Sequence, residues 1–189
     1  MPKKYKLVIL LMLVLGIHDA ISQNNQFHKR GFFAGSSLGF QMGSIGRFEA
    51  GPLAGFQFNE WFLAGLGARY VYYRDKRLNF NFTSHIYGGS LFSEFTVIQD
   101  LTRSLPFRIP GSVFLHIEYQ LLSVPSDEFS DALSDTGDSR FLLPGYLFGA
   151  GWRQSAGKKS WIYILALYDF NDSFRFPYDN PLVRFGLVF

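Results

Sequence analysis

A histidine and a glutamate stand two residues apart in the stretch SVFLHIEYQLL, as His116 and Glu118. On a β-strand this spacing puts both side chains on one face, where a carboxylate can orient an imidazole for general-base catalysis. A nucleophile would also be needed, and Ser90 or Ser112 can be named only by default. Acyl transfer or hydrolysis by His116 and Glu118 is therefore one hypothesis, and a histidine within a polar interior is the more ordinary interpretation.

Further charged residues recur with the same parity in other segments of the chain. If those segments form a narrow barrel, four arginines and four carboxylates face its interior together with His116, and they should pair because an unpaired buried charge is costly. This favours a structural plug; a gated ion path is the alternative, although the balanced charges offer no obvious selectivity. The predicted lumen charge network comprises Arg47, Glu49, Arg69, Glu94, His116, Glu118, Arg153, Asp169 and Arg184.

Two segments are candidates for a partner surface. The stretch PSDEFSDALSDTGDSR is acidic, but its spacing does not match an EF-hand loop, so a solvated loop is favoured over a calcium site. The stretch QDLTRSLPFRIPG mixes apolar and basic residues, and it is either a strand extension or a docking segment. The predicted surface residues are Arg103, Phe107, Arg108, Asp127, Glu128, Asp131, Asp135 and Asp138. No metal site and no cofactor are predicted.

The elements that would position these residues show an apolar period of two. In GFFAGSSLGFQ, for example, Phe32, Leu38 and Phe40 alternate with Ser37 and small residues, as strand geometry requires. The helical period is almost absent. The pattern predicts eight strands, at 31–41, 47–58, 62–73, 85–97, 112–122, 145–154, 161–170 and 182–189.

The residue types on the two faces of these strands distinguish a barrel in water from a barrel in lipid. A soluble lipocalin-like barrel would need a well-charged outer face, whereas a membrane barrel turns its apolar face to lipid and fills its lumen with small and polar side chains. The face opposite the rings is mostly glycine, serine and single charges, which favours the membrane barrel. Rings near strand ends are expected at the level of the lipid headgroups, namely Trp61, Phe62, Tyr70, Tyr72, Tyr73, Tyr119, Trp161, Tyr168 and Phe170.

The predicted connections alternate in length. The inner turns are 59–61, 98–111 and 154–160, and the outer loops are 42–46, 74–84, 123–143 and 171–181. Short periplasmic turns and longer outer loops are typical of membrane barrels, and 98–111 is the exception. Pro52 lies inside a predicted strand and indicates a β-bulge there.

The last segment, LVRFGLVF, ends on an aromatic residue with apolar residues at alternating positions before it: Val183, Phe185, Leu187 and Phe189. With the eight strands, this pattern resembles the small eight-stranded outer-membrane barrels of Gram-negative bacteria, the OmpA-type and OmpX-type family, over residues 31–189. The resemblance implies that these four residues form the signal that the barrel assembly machinery recognises, and that outer-membrane lipid surrounds the barrel.

The first 22 residues predict export. They have a basic start with Lys3, Lys4 and Lys6, an apolar run of about ten residues and a small-x-small pattern at Ala20 and Ser22, as in a cleaved signal peptide. A transmembrane helix would need roughly 20 apolar residues. The formal net charge is only +3 and the chain has no cysteine, so nucleic-acid binding and disulfides are not expected.

The sequence therefore predicts a signal peptide (1–22), a periplasmic tail (23–30) and an all-β, eight-stranded antiparallel transmembrane β-barrel of up-and-down topology (31–189). The expected location is the outer membrane. The expected role is non-enzymatic, as a structural or accessory subunit with other outer-membrane subunits as partners. A narrow pore or lipid-binding barrel and an outer-membrane enzyme are the alternatives.

Overall fold

The computed structural model describes residues 30–41, 45–75, 82–104, 109–126, 140–157, 160–170 and 180–189. The predicted signal peptide lies outside these residues, as does the predicted tail apart from Arg30. The elements are β1 (Gly31–Gln41), β2 (Ile45–Gln57), β3 (Phe62–Asp75), β4 (Phe82–Ile98), α1 (Leu101–Ser104), β5 (Ser112–Pro125), β6 (Arg140–Ser155), β7 (Trp161–Asp169) and β8 (Leu182–Val188).

The eight strands form one closed barrel in which each strand pairs antiparallel with its neighbours in sequence, and β8 pairs with β1. The all-β, up-and-down barrel predicted from the sequence is thus confirmed. Phe189 extends the closing seam, because its N–H donates to the Ala34 carbonyl (2.8 Å) and its carbonyl accepts from the Ala34 N–H (3.0 Å). We call the end with segments 58–61, 99–111 and 156–160 the turn end, and the opposite end the loop end.

The strands are strongly tilted. Paired residues can be followed from strand to strand around the barrel, starting at Gly31 at the turn end of β1 and arriving at Leu182 of β8. Leu182 adjoins Val183, which pairs with Phe40 at the loop end of β1. The stagger in register accumulated once around the barrel is thus nearly the whole length of β1. Such a stagger accompanies the closure of a narrow barrel whose interior is filled by side chains. The path runs through Gln57, Leu63, Glu94, His116, Gly149 and Leu167.

Several strands are longer at the loop end than predicted. β4 begins at Phe82, β5 continues to Pro125 and β6 begins at Arg140, so the corresponding connections are shorter. In β6 the run Phe141, Leu142 and Leu143 is apolar on both faces, with Leu142 outside and Leu143 inside. Because both faces are apolar, the alternation that marks a strand disappears there.

Two irregularities differ from the sequence expectation. Pro52 creates no bulge: it pairs in register with Ser36 of β1, and only its pairing with β3 is interrupted. The register shift lies instead between Thr96 and Ile98 of β4. Beyond it, residues 99–104 do not extend the strand, since α1 begins at Leu101, whose N–H donates to the Gly111 carbonyl (2.9 Å).

The interior is more apolar than the predicted lumen of small and polar residues. Four buried or nearly buried rings lie across from a glycine on the neighbouring strand, and a Cβ on any of these glycines would collide with the ring. The glycines therefore make room for interior rings, an arrangement that pins strand register. The ring and glycine pairs are Phe33 with Gly55, Phe92 with Gly65, Phe114 with Gly151, and Tyr163 with Gly186.

Two rings predicted to lie on the outside belong to the interior. Tyr73 is buried among the core residues, and Trp161 packs against that core in an edge contact with Phe33 (5.7 Å between ring centroids). Both occupy inward-facing positions of their strands. The prediction considered only that these rings lie near strand ends, and not which face of the strand they occupy. Within the described part of the chain, no helix is long and apolar enough to cross a membrane.

Candidate functional site in the barrel interior

Two arginines and two glutamates from four strands form the centre of the interior. Arg184 of β8 contacts Glu118 through Nη1 (2.5 Å to Oε2) and Glu49 through Nε (2.8 Å to Oε1). Arg69 of β3 contacts both oxygens of Glu118 through Nη2 (3.2 Å each) and Glu49 through Nε (3.5 Å). Each arginine therefore bridges both carboxylates, and all four side chains are almost completely buried.

His116 extends this group along β5 towards the turn end. Its Nε2 lies 3.1 Å from Glu118 Oε2, and its Nδ1 lies 3.1 Å from Glu94 Oε1. The ring stacks on Phe92, with 5.5 Å between centroids. With a carboxylate at each ring nitrogen, the arrangement suits an imidazolium, which donates from both.

Arg153 of β6 forms the turn-end part of the site. Its Nη1 contacts Glu94 Oε2 (3.2 Å), its Nε donates to Ser112 Oγ (3.2 Å) and its Nη2 donates to Thr96 Oγ1. The guanidinium also lies 5.3 Å from the centre of the Phe114 ring, within cation–π range. A cation with these partners is well compensated for its burial.

The loop-end part contains Arg47 and Asp169. Arg47 pairs with Glu49 on the same face of β2, so polar contacts run without interruption from Arg153 to Arg47. Asp169 is buried at the end of β7, where its backbone N–H donates to Asn180 Oδ1 (2.7 Å) and its carbonyl accepts from Asn180 Nδ2 (3.1 Å). All nine residues of the predicted network thus lie inside the barrel, and eight of them form this chain of contacts.

A small cavity lies beside this chain of contacts. Its volume is about 20 Å³, and its lining includes the polar residues Arg69, Glu94, His116 and Arg184 and the apolar residues Phe33 and Leu63. This volume admits about one water molecule.

No family model matches the chain, and neither does any curated protein. The chemistry of the site must therefore be read from its geometry. Both ring nitrogens of His116 face carboxylates, so neither is placed to take a proton from a serine. Ser112 instead accepts from Arg153.

A serine motif in β1 does not supply an activated serine either. Residues Gly35 to Gly39 match G-x-S-x-G by letters, yet Ser37 lies within a strand and not at the strand-to-helix turn that this motif requires. Its Oγ is buried and accepts a hydrogen bond from Arg69 Nη1. Among the described residues there is also no group of three or more His, Cys, Asp or Glu that could hold a metal ion.

The predicted partner surface falls mostly outside the described residues. Arg103 lies in α1, and its side chain is not among the described ones. The other seven lie in segments that the structure does not describe: Phe107, Arg108, Asp127, Glu128, Asp131, Asp135 and Asp138.

The sequence reasoning missed a group of polar and aromatic side chains on the outer surface at the loop end, around His85 and Arg140. Arg140 follows an acidic stretch and was assigned to its loop, whereas it is the first residue of β6. The parity of β4 places His85 on the outer face, but its neighbours could be named only once the register with β3 was known.

Proposed function

We propose that this protein is an integral outer-membrane β-barrel with a non-enzymatic, structural or accessory role, and that its interior is a plug. The observation that carries the proposal is the inverted distribution of side chains. The barrel interior holds the charged network, whereas the outward positions of the described strands are charged only at Arg74 and Arg140, both near the loop end.

The outer face is apolar around the whole circumference. Exposed large residues occur on every strand, with Leu66, Ile117 and Phe32 exposed by 64%, 58% and 90%. Soluble monomers rarely expose apolar residues in such a continuous belt. Lipid is the solvent that suits it, and strands of about 9 to 11 tilted residues suffice to cross a bilayer.

Aromatic residues on the outside support the same placement. Tyr70 and Tyr87 pair near the loop end, as do Tyr119 and Tyr146, while Trp61 is exposed in the turn after β2. Tyrosine and tryptophan have an apolar body and a polar tip, and they concentrate at the two membrane interfaces.

A buried, paired network with room for about one water molecule supports a plug over a pore. In planar bilayers the reconstituted protein should give no steady conductance. The matched variant is Glu118→Ala, which removes the carboxylate shared by Arg69, Arg184 and His116. Steady ion currents through the unmodified barrel would contradict the plug and favour the pore.

Location is tested by fractionation. The full chain, carrying a tag inserted in segment 171–179 so that Phe189 and both candidate partner segments stay unmodified, should sediment with the outer membrane of a Gram-negative host and resist alkaline extraction. Its mobility on a gel should also change on boiling, as expected of a barrel that resists detergent until heated. Recovery in the soluble periplasmic fraction would refute the membrane proposal.

The accessory role needs its own test. Gentle detergent extraction of the tagged protein from its native membrane, followed by mass analysis, should recover a stoichiometric partner. Replacing the connections 99–110 and 126–139 separately with glycine and serine linkers, which leaves the strands intact, should then show which one holds that partner. A clean monomer would argue for a purely structural barrel.

A further inference from the structure

Five outward-facing side chains meet near the loop end of β3, β4 and β6, and we call them the rim cluster: Tyr70, Tyr72, His85, Tyr87 and Arg140. Tyr72 pairs in register with His85, and Tyr70 pairs with Tyr87. The Tyr70 hydroxyl lies 2.8 Å from His85 Nδ1, and the Tyr72 ring meets the imidazole edge-on at 5.6 Å. The cluster is therefore a contiguous aromatic surface with polar tips.

Arg140 is held over this surface by contacts across β5. Its Nε donates to Ser123 Oγ (2.9 Å), and its Nη2 donates to the carbonyls of Ser123 (2.5 Å) and His85 (3.0 Å). The guanidinium lies 5.5 Å from the centre of the Tyr87 ring. These contacts fix the plane of the guanidinium, and among the described residues none of them uses Nη1.

Among the outward positions of the described strands, the charges near the rim cluster have one sign. Arg74 stands two residues beyond Tyr72 on β3 with its side chain exposed, and no acidic residue occupies an outward position of the described strands. The turn end differs, since Arg30 there is accompanied by exposed Glu60. Electrostatic complementarity therefore indicates an anion at the rim cluster.

We propose that the rim cluster binds the phosphate of an anionic lipid headgroup. A fixed guanidinium matches the geometry of phosphate oxygens, and tyrosine hydroxyls add donors. A lipid is favoured over free phosphate because Tyr87 of the cluster and Leu142, two residues after Arg140, are exposed by 52% and 64% and offer an apolar surface to acyl chains. This inference rests on the proposed membrane location.

The test uses the purified full-length barrel in a non-ionic detergent, with native mass spectrometry to count retained lipids. Phosphatidylglycerol is the anionic probe, phosphatidylcholine the zwitterionic one and glycerol 3-phosphate the soluble one. The variants are Arg74→Gln, Arg140→Gln and the double variant. Arg30→Gln is the matched control, because Arg30 also lies over a ring (Phe56, 5.7 Å) but at the turn end.

We expect phosphatidylglycerol to bind more tightly than phosphatidylcholine, and the double variant to bind it about tenfold more weakly, the scale of a lost charge-assisted hydrogen bond. Arg30→Gln should bind like the unmodified protein. Arg74→Gln serves as the second variant because its exposed side chain is remote from the Ser123 contacts, and heat-dependent gel mobility checks that each variant is folded.

Three results would overturn the inference: equal retention of the two lipids by the unmodified barrel, an equal loss in Arg30→Gln, or displacement of phosphatidylglycerol by an equal concentration of glycerol 3-phosphate. In each case a barrel that still inserts into vesicles leaves the membrane proposal standing. A chain that folds but does not enter vesicles at all refutes the proposed location, and the inference with it.

Discussion

Replacing Glu118 by glutamine should destabilise the barrel far more than its conservative shape implies. The carboxylate contacts Arg69 (3.2 Å), Arg184 (2.5 Å) and His116 (3.1 Å), and its side chain has no exposed surface. Glutamine keeps the volume but removes the charge, so Arg69 and Arg184 are left to share Glu49. Breaking a buried pair in this way costs about 3–5 kcal/mol of unfolding free energy, because a buried charge loses its compensation.

The assay is urea unfolding of the barrel in lipid vesicles, followed by tryptophan fluorescence. The control is Glu60→Gln, since Glu60 is exposed in the turn after β2, and this variant should unfold like the unmodified protein. The effect of Glu118→Gln should persist at high salt, because buried charges are screened little. A double-mutant cycle with Arg184→Gln should show less than additive losses.

A loss below about 1 kcal/mol for Glu118→Gln, typical of exposed ion pairs, would refute the reasoning. It would mean that water reaches the network and replaces the missing carboxylate. Additive losses for Glu118 and Arg184 would likewise show that their contact does not couple them.

Three further predictions concern other parts of the barrel. Gly186→Val places a side chain within the Tyr163 ring, so it should lower the free energy of unfolding by about 1–3 kcal/mol in the same urea assay. Adding Tyr163→Leu should restore part of that loss. An unchanged urea midpoint for Gly186→Val would show that the two strands can separate freely. Ile117→Lys on the outer face should cost about 2–4 kcal/mol in a bilayer if this position lies near its midplane, measured against Thr83→Lys near the loop end, and equal unfolding curves for the two variants would contradict lipid contact at Ile117. Phe189→Ser should lower the amount of barrel assembled in cells while purified protein refolds as before, because the ring is 63% exposed; unchanged heat-dependent mobility in cell extracts would count against the predicted assembly signal.

The alternation of residues was sufficient to predict the barrel and the residues of its interior network. Arg69, Glu118 and Arg184 each occupy the inward parity of a strand that is otherwise easy to recognise, so no register was needed to place them inside. The contacts between these residues could not be predicted. Arg184 contacts Glu49 and Glu118 because of the stagger accumulated around the whole barrel, and the sequence of a single strand does not specify that stagger.

The loop end was predicted least well, for two physical reasons. Where both faces of a strand are apolar, as at Phe141 and Leu143 beside Leu142, periodicity no longer marks the strand. The rim cluster also depends on Arg140 reaching across β5 to Ser123 and His85, and such a contact between strands has no signature in local sequence.

The four ring and glycine pairs have a consequence for how the loops can change. Each pair lies in a different hairpin closed by a connection at the loop end: β1–β2, β3–β4, β5–β6 and β7–β8. Phe33 and Gly55, for example, lie near the open end of their hairpin, far from the connection at 42–44. Because each hairpin is aligned from its open end, we expect insertions, exchanged segments or displayed epitopes in the connections to leave the strand alignment intact. The strands thus form a fixed scaffold, and the connections at the loop end can be exchanged.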